Sequence, residues 1–257
     1  MRMDPARDVT LVTGGSRGIG AAIVRALHAA GGRVYFTYAR AGAAADALRD
    51  ELGQDRVACE RCDVAEADAL PSLVDACVAR FGRLDALVNN AGIFAENPFA
   101  GDYDAWRAGW AATFAVNIVG PANLTFLALR AMRRNAPGPG GVRGRIVNVA
   151  SRAAHRGEVT FADYGASKAA LVNLTKSVAR GCAAEGIVAF SVAPGFIETE
   201  MAADAIAAGG AAIRSEIPSG RIGTPAEVAS IVSALVSGVA DYATGSTIDV
   251  NGASYVR

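Results

Sequence analysis

Short apolar runs alternate with amphipathic ones along the whole chain. Val9–Thr13, Arg33–Tyr38, Arg56–Cys62, Ala86–Asn89, Arg145–Ala150, Val188–Ala193 and Thr247–Val250 are brief and rich in β-branched or apolar residues, as buried strands are. Between them, helical spacing marks Ile19–Ala30, Ala43–Leu52, Ala67–Phe81, Tyr103–Arg134, Ala162–Ala184 and Ala226–Ser237. In the third of these, Leu70, Leu73, Val74, Cys77, Val78 and Phe81 line one face. Strand and helix taking turns predicts an α/β fold, a parallel sheet with helices on both sides. No shift in composition divides the chain, so residues 1–257 read as one domain.

Two segments depart from the pattern. Asn135–Gly144 is a Pro/Gly loop ahead of the fifth strand. Thr199–Ser219 holds Ala-rich helical pieces broken at Gly209-Gly210 and closed by Pro218. Its small side chains can bury little, so it is expected to be a mobile lid if it borders a site.

Composition narrows the partners. The 257 residues carry 25 Lys+Arg against 25 Asp+Glu, and 52% are hydrophobic. A balanced charge offers no basic face for nucleic acid or an anionic membrane. Met1 to Val9 lacks the apolar run of a secretory signal, and a cytoplasmic location is expected. Trp110–Leu129 is uncharged and about long enough to cross a bilayer. It contains Asn117, Gly120, Pro121 and Asn123, however, and reads as a buried helix. Cys59 and Cys62 have the spacing of a metal pair, but on a strand a three-residue offset points them to opposite faces. No second pair completes a tetrahedral set, so no metal site is expected.

The first strand runs into Gly14-Gly15-Ser16-Arg17-Gly18-Ile19-Gly20 and then a helix. Glycines let a chain turn sharply and approach a pyrophosphate, whose charge the helix N-terminus favours. A form that binds NAD usually places an acid about 20 residues on, to hold the ribose. Here no carboxylate lies between Gly20 and Asp46, while Arg17 and Arg40 can meet a 2′-phosphate. NADP(H) is therefore preferred over NAD(H).

Only two lysines occur, Lys168 and Lys176. Tyr164 and Lys168 stand at i, i+4 on one helix face. An ammonium beside a phenol lowers its pKa from about 10 and makes it usable as an acid or base.

Together, Thr13-Gly14-x₃-Gly18-x-Gly20, Asn89-Asn90-Ala91-Gly92, Ser151, Tyr164-x₃-Lys168 and Pro194-Gly195 resemble the short-chain dehydrogenase/reductase family. Asp63-Val64, Asn117-x₂-Gly120, Arg221-x-Gly223-x-Pro225 and Asp249-x-Asn251-Gly252 match further motifs of the family in its order. The resemblance implies a single Rossmann-type doubly wound domain with a seven-stranded parallel sheet, order 3-2-1-4-5-6-7. It also implies hydride transfer between nicotinamide and a carbonyl/alcohol pair. On that reading Tyr164 exchanges the proton, Lys168 holds the ribose and lowers the tyrosine's pKa, Ser151 bonds the substrate oxygen, and Asn117 holds a relay water. Asn89 to Gly92 would line the ribose and nicotinamide side, Thr37 the adenosine side, and Asp63 and Val64 the adenine. Pro194, Gly195, Ile197 and Thr199 would meet the nicotinamide.

By the same analogy Ile93, Phe94, Ala153, His155, Phe161, Gly195, Phe196 and the lid line a mostly apolar substrate cleft, which suits a small carbonyl compound or secondary alcohol. His155 reads more readily as a solvent-facing loop residue. Pro194–Met201 is similar to the active-site loop of bacterial 3-oxoacyl-[acyl-carrier-protein] reductases. Glu185 stands where those relatives carry a base for their acidic partner, and Arg143 and Arg145 are the alternative sources of charge. An acyl carrier protein is thus the less favoured partner. A regulator that binds NADP without turnover is a third reading, disfavoured because all four catalytic positions are present. Relatives pair their long helices, here Tyr103–Arg134 and Ala162–Ala184, so a homotetramer or dimer is expected.

Overall fold

The computed structural model describes residues 8–256. The signal-free reading of the N-terminus falls largely on residues 1–7, outside those described. Seven parallel strands form one sheet in the order β3-β2-β1-β4-β5-β6-β7, as expected. The strands are β1 Val9–Val12, β2 Arg33–Tyr38, β3 Val57–Arg61, β4 Ala86–Asn89, β5 Gly144–Val149, β6 Ile187–Pro194 and β7 Thr247–Val250. The order reverses between β1 and β4, where such sheets open a crevice at the carboxyl ends of their strands.

The helices are α1 Gly18–Ala29, α2 Gly42–Leu52, α3 Leu70–Phe81, α4 Tyr103–Phe114, α5 Gly120–Met132, α6 Ala162–Cys182, α7 Ala203–Ser215 and α8 Pro225–Val236. One core lies between the sheet and α1, α2 and α8, and contains Ile23, Leu27, Phe36, Leu48, Phe190 and Val232. The other lies against α3, α5 and α6, and contains Leu11, Leu73, Leu87, Leu124, Met132 and Ile146. Strands buried on both faces cannot show a polar alternation, which is why β1, β4 and β6 read as largely apolar runs. β6 is the extreme case, with all eight residues buried.

Cys59 faces the α2 side, where its thiol meets the Ala45 carbonyl, and Cys62 belongs to the opposite core. The thiols do point to opposite faces. α8 begins at a capping box in which Thr224 and Glu227 satisfy each other's backbone N–H, with Pro225 in the first turn.

The expected single helix Tyr103–Arg134 is interrupted. Ala115–Val119 forms a π turn between α4 and α5, an insertion invisible to hydrophobic periodicity. Tyr103–Met132 is long and apolar enough to cross a membrane by length and composition. In the fold, however, Leu124, Ala128 and Met132 are fully buried core residues. Gly120 has the Val64 carbonyl pressed against it, 2.4 Å from where a Cβ would stand, so β3's exit and the π turn are locked together. The segment 199–219 contains α7, kinked at Gly209 where the sequence broke the helix.

Candidate active site

The Gly-rich turn is built for a ligand to approach its backbone. Gly14 and Gly18 have φ of 65° and 55°, a region that favours glycine. A Cβ on Gly20 would stand 2.0 Å from the Gly14 carbonyl oxygen. Arg17 precedes α1 in an extended conformation without a side-chain cap, and the first turn carries no acid. The N–H groups and positive end of α1 are thus left for an anion. Ser16 and Ile19 are partly buried in the same turn. These features fit the pyrophosphate of a dinucleotide.

Neighbouring strands brace the turn. Asn90 Nδ2 donates to the Thr13 and Gly14 carbonyls, both at 3.0 Å, while Thr13 Oγ1 accepts from Asn90 N and Ala91 N. Thr37 is buried; its carbonyl accepts from Gly15 N and its Oγ1 from Gly14 N. The side chains of Asn90 and Thr37, expected against the cofactor, therefore shape the turn that would hold it. Asn89, expected to line the site, turns its amide away onto Asn148 and Thr125. Its row continues from Asn148 to Thr175, a buried polar seam of β4, β5, α5 and α6.

Past β2, Arg40 is exposed and has no ion pair among the described residues. Arg17 instead meets Glu200 at 3.0 Å, with both side chains well exposed. Asp63 accepts from Ala65 N at the exit of β3, and Val64 is buried beneath it.

The proposed chemistry converges where β4 and β5 end beside α6. Ser151 leaves β5 in an extended conformation, and its Oγ accepts from Ala153 N at 3.1 Å. Lys168 is buried, and its Nζ donates to the Val149 carbonyl at 2.9 Å. That ammonium stands 5.7 Å from the Tyr164 ring centroid. It also approaches Gly92, where a Cβ would meet it at 3.4 Å and the Asn117 Oδ1 at 3.3 Å. Asn117 accepts from Ile93 N and donates to the Ile93 carbonyl and to Ser167 Oγ. Its amide is thereby committed to bracing the segment after β4 against α6.

Electrostatics correct one expectation. Burial pushes the Tyr164 phenol above its ordinary value; the hydrogen bond with Ser151 opposes this and Glu158 adds to it. Burial is the largest of these influences on the phenol. The same burial brings the Lys168 ammonium down to about 8.

Two residues without an expected role complete the frame. Ser167 links Asn117 to the Tyr164 carbonyl, donating to the latter at 2.7 Å. Asp163 is buried and accepts from Thr113 Oγ1, Asn97 Nδ2 and Tyr164 N, tying the catalytic helix to α4. The only sequence signal for either was adjacency to Tyr164 or Lys168.

Among the residues expected to line the substrate cleft, three aromatic rings come together. Phe94 stacks on Phe161 at 4.0 Å and meets Tyr164 edge-on at 4.8 Å. Ala153 is buried beside Ser151. His155 does not face solvent; it is partly buried with its ring stacked 5.9 Å from Tyr255. Phe196 lies under the Arg152 guanidinium at 4.4 Å. Pro194 ends β6, and Gly195 backs onto Asn251 so closely that a Cβ would clash at 2.8 Å. The Ile197 side chain lies in the core, and its main chain bridges to Gly223. Thr199 closes over the turn, its Cγ2 3.4 Å from the Cβ position of Gly18.

The chain is similar to known proteins along its length. Residues 14–253 match the family model described as Enoyl-(Acyl carrier protein) reductase. The chain is 37% identical to the 3-oxoacyl-[acyl-carrier-protein] reductase FabG of Vibrio cholerae, over 96% of this chain and 97% of the relative. It is 39% identical to the acetoacetyl-CoA reductase of Shinella zoogloeoides, over 96% and 98% of the two chains. Among solved structures it superposes on a short-chain dehydrogenase/reductase of Brucella melitensis described as glucose/ribitol dehydrogenase, with a TM-score of 0.90 and 34% identity over 100% of both chains. The chain belongs to the short-chain dehydrogenase/reductase family, oxidoreductases that act on CH–OH groups and ketones with NAD(P).

Proposed function

We propose that this protein is an NADP(H)-dependent oxidoreductase that interconverts a small free carbonyl compound and the matching secondary alcohol. The observation that carries the reading is the convergence of Ser151, Tyr164 and Lys168 beneath the aromatic wall of Phe94 and Phe161. Tyr164 gives its proton to the carbonyl oxygen in reduction and takes it back in oxidation. A phenol pushed up by burial is protonated at neutral pH, which suits the donor role. Ser151 donates to the same oxygen as negative charge develops on it. Lys168 holds the ribose hydroxyls and feeds a proton relay past Asn117. The nicotinamide, when bound, supplies or accepts the hydride.

The choice of NADP rests on the absence of an acid between Gly20 and Asp46 and on Arg40, exposed without an acidic partner among the described residues. The Arg17–Glu200 pair is exposed on both sides, and such pairs are worth at most about 1 kcal/mol, little against a phosphate.

The relatives named for carrier-protein and CoA substrates favour a thioester as the second reading. Surface charge argues against the carrier protein. Glu185 pairs with Arg133, Arg145 is held by Asp241 at 2.7 and 2.8 Å, and Arg143 donates to the Asn135 carbonyl. Arg143 and Arg145 are engaged within the chain, while a carrier protein needs such bases free. The proposal includes a cytoplasmic location. It also includes a homotetramer built on α5 and α6, supported by the exposed Val119 and Phe126. Absorbance of NADPH mixed with small ketones, acetoacetyl-CoA and acetoacetyl-carrier protein tests the reading. Loss of absorbance with free carbonyls is expected. Loss with the carrier-protein thioester alone would transfer the assignment, and tight NADPH binding without loss on any of them would favour a sensor.

A further inference from the structure

Arg152 follows the catalytic serine directly, and it is only 5% exposed. Its Nη1 is buried without a hydrogen-bond partner, and no carboxylate pairs with its guanidinium among the described residues. Among the described residues its close partner is the Phe196 ring, 4.4 Å below it. Arg145, a partly buried arginine near the start of β5, is by contrast held bidentately by Asp241. Glu158 and Glu216 act on Arg152 only through space, and Arg156 repels it.

A guanidinium cannot shed its charge, and burying one unpaired costs several kcal/mol. Buried charges otherwise come paired, so an exception calls for a partner that arrives. The location says what kind. Ser151 and Phe196 stand just beyond the carboxyl ends of adjacent parallel strands, β5 and β6, where ligands of such sheets bind. Phe196 covers one face of the guanidinium, which leaves the edge of the fork for a planar, two-oxygen acceptor.

We propose that Arg152 recognises a carboxylate on the substrate, which is therefore an oxo acid or hydroxy acid and not a neutral ketone or a thioester. This rests on the oxidoreductase reading above and sharpens it. The carboxylate lies on the Phe196 side of the cleft, a short spacer from the carbon that reacts at Ser151 and Tyr164. The apolar wall of Phe94 and Phe161 takes the rest of the molecule.

Matched pairs test the idea: acetoacetate against methyl acetoacetate, and levulinate against methyl levulinate, each with NADPH. The wild-type protein should favour one acid over its ester by roughly 10- to 100-fold in kcat/KM, the range expected of a hydrogen bond to a charged group. Arg152→Gln should collapse that ratio, and Arg152→Lys should restore it in part. A second arm needs no turnover: succinate binding to the NADP⁺-loaded protein, followed by calorimetry, with succinamide as the neutral control. Arg152→Gln should weaken succinate by 10-fold or more.

Esters reduced as well as their acids, or succinate bound no better than succinamide by the wild type, would overturn the proposal while leaving the oxidoreductase reading intact. Succinate binding that depends on Arg152, with no carbonyl reduced, would uphold carboxylate recognition and remove the oxidoreductase reading instead. The wild-type arms decide the question even if both variants fail to fold.

Discussion

The Lys168 ammonium donates to the Val149 carbonyl at 2.9 Å, two residues before Ser151 along the chain. This bond fixes the end of the lysine against β5, so the cation is held in place by the strand that carries the serine. It is held at a cost, since burial brings the ammonium down to about 8. Between about pH 8 and pH 10 the unfolded chain keeps a proton that the folded chain has released, so stability rises with pH through that window. Below it the burial penalty is felt in full. Lys168→Met should therefore melt several degrees above the wild type at pH 7, and the gap should close toward pH 10. The penalty removed is on the order of 3 kcal/mol at most. Thermal melts at the two pH values check this, and an equal or lower melting temperature at pH 7 would contradict it.

Tyr164→Phe keeps the ring that meets Phe94 edge-on and removes only the hydroxyl. Turnover should fall by roughly 10²- to 10⁴-fold, the usual range for losing a general acid. NADPH affinity, read by fluorescence titration, should change less than about threefold, as the phosphate turn is distant from this hydroxyl in sequence and in role. Because burial raises the phenol, wild-type reduction should stay flat through neutral pH and decline only in the alkaline range. Retained turnover in the variant would remove Tyr164 from the proton path.

What the sequence could and could not disclose follows from the range of each interaction. Strands announce themselves through short β-branched or apolar runs, and three of them, Arg33–Tyr38, Ala86–Asn89 and Thr247–Val250, have the expected bounds. The phosphate turn was legible because glycine spacing is a local property. The π turn at Asn117 was not, since one inserted residue leaves a helical hydrophobic pattern nearly unchanged. Side-chain direction was not legible either: Asn89 and Asn90 are neighbours, yet one braces the sheet and the other the turn. Nothing in the sequence singles out Arg152, because its burial against Phe196 exists only once β6 delivers that ring beneath it.

Gly20→Ala tests the turn as a cradle. The added Cβ would stand 2.0 Å from the Gly14 oxygen and 2.7 Å from Asn90 Nδ2, both fixed by the bonds that shape the turn. The backbone must shift, at a cost of about 1–3 kcal/mol. Cofactor affinity should drop at least tenfold in calorimetry. Gly181→Ala, near the end of α6 with no atom within 4 Å of its Cβ position, is the control. It should gain up to about 1 kcal/mol in denaturant unfolding and leave cofactor binding unchanged.

Variants of Arg40 and Arg17 test the cofactor preference proposed above. Arg40→Ser removes an exposed guanidinium that makes no ion pair among the described residues, so stability should change by less than about 0.5 kcal/mol. NADP⁺ affinity should fall roughly tenfold, as expected when a charge-assisted bond to phosphate is lost, while NAD⁺ affinity stays put. Arg17→Ser removes the same kind of contact and also frees Glu200, which lies 3.0 Å away at the start of the lid segment. An unpaired carboxylate beside the phosphate repels it, so this variant should lose more NADP⁺ affinity than Arg40→Ser. Glu200→Gln should move the other way and tighten NADP⁺. Titration of both nucleotides into the three variants separates these terms, and parallel losses for NAD⁺ and NADP⁺ would end the 2′-phosphate assignment.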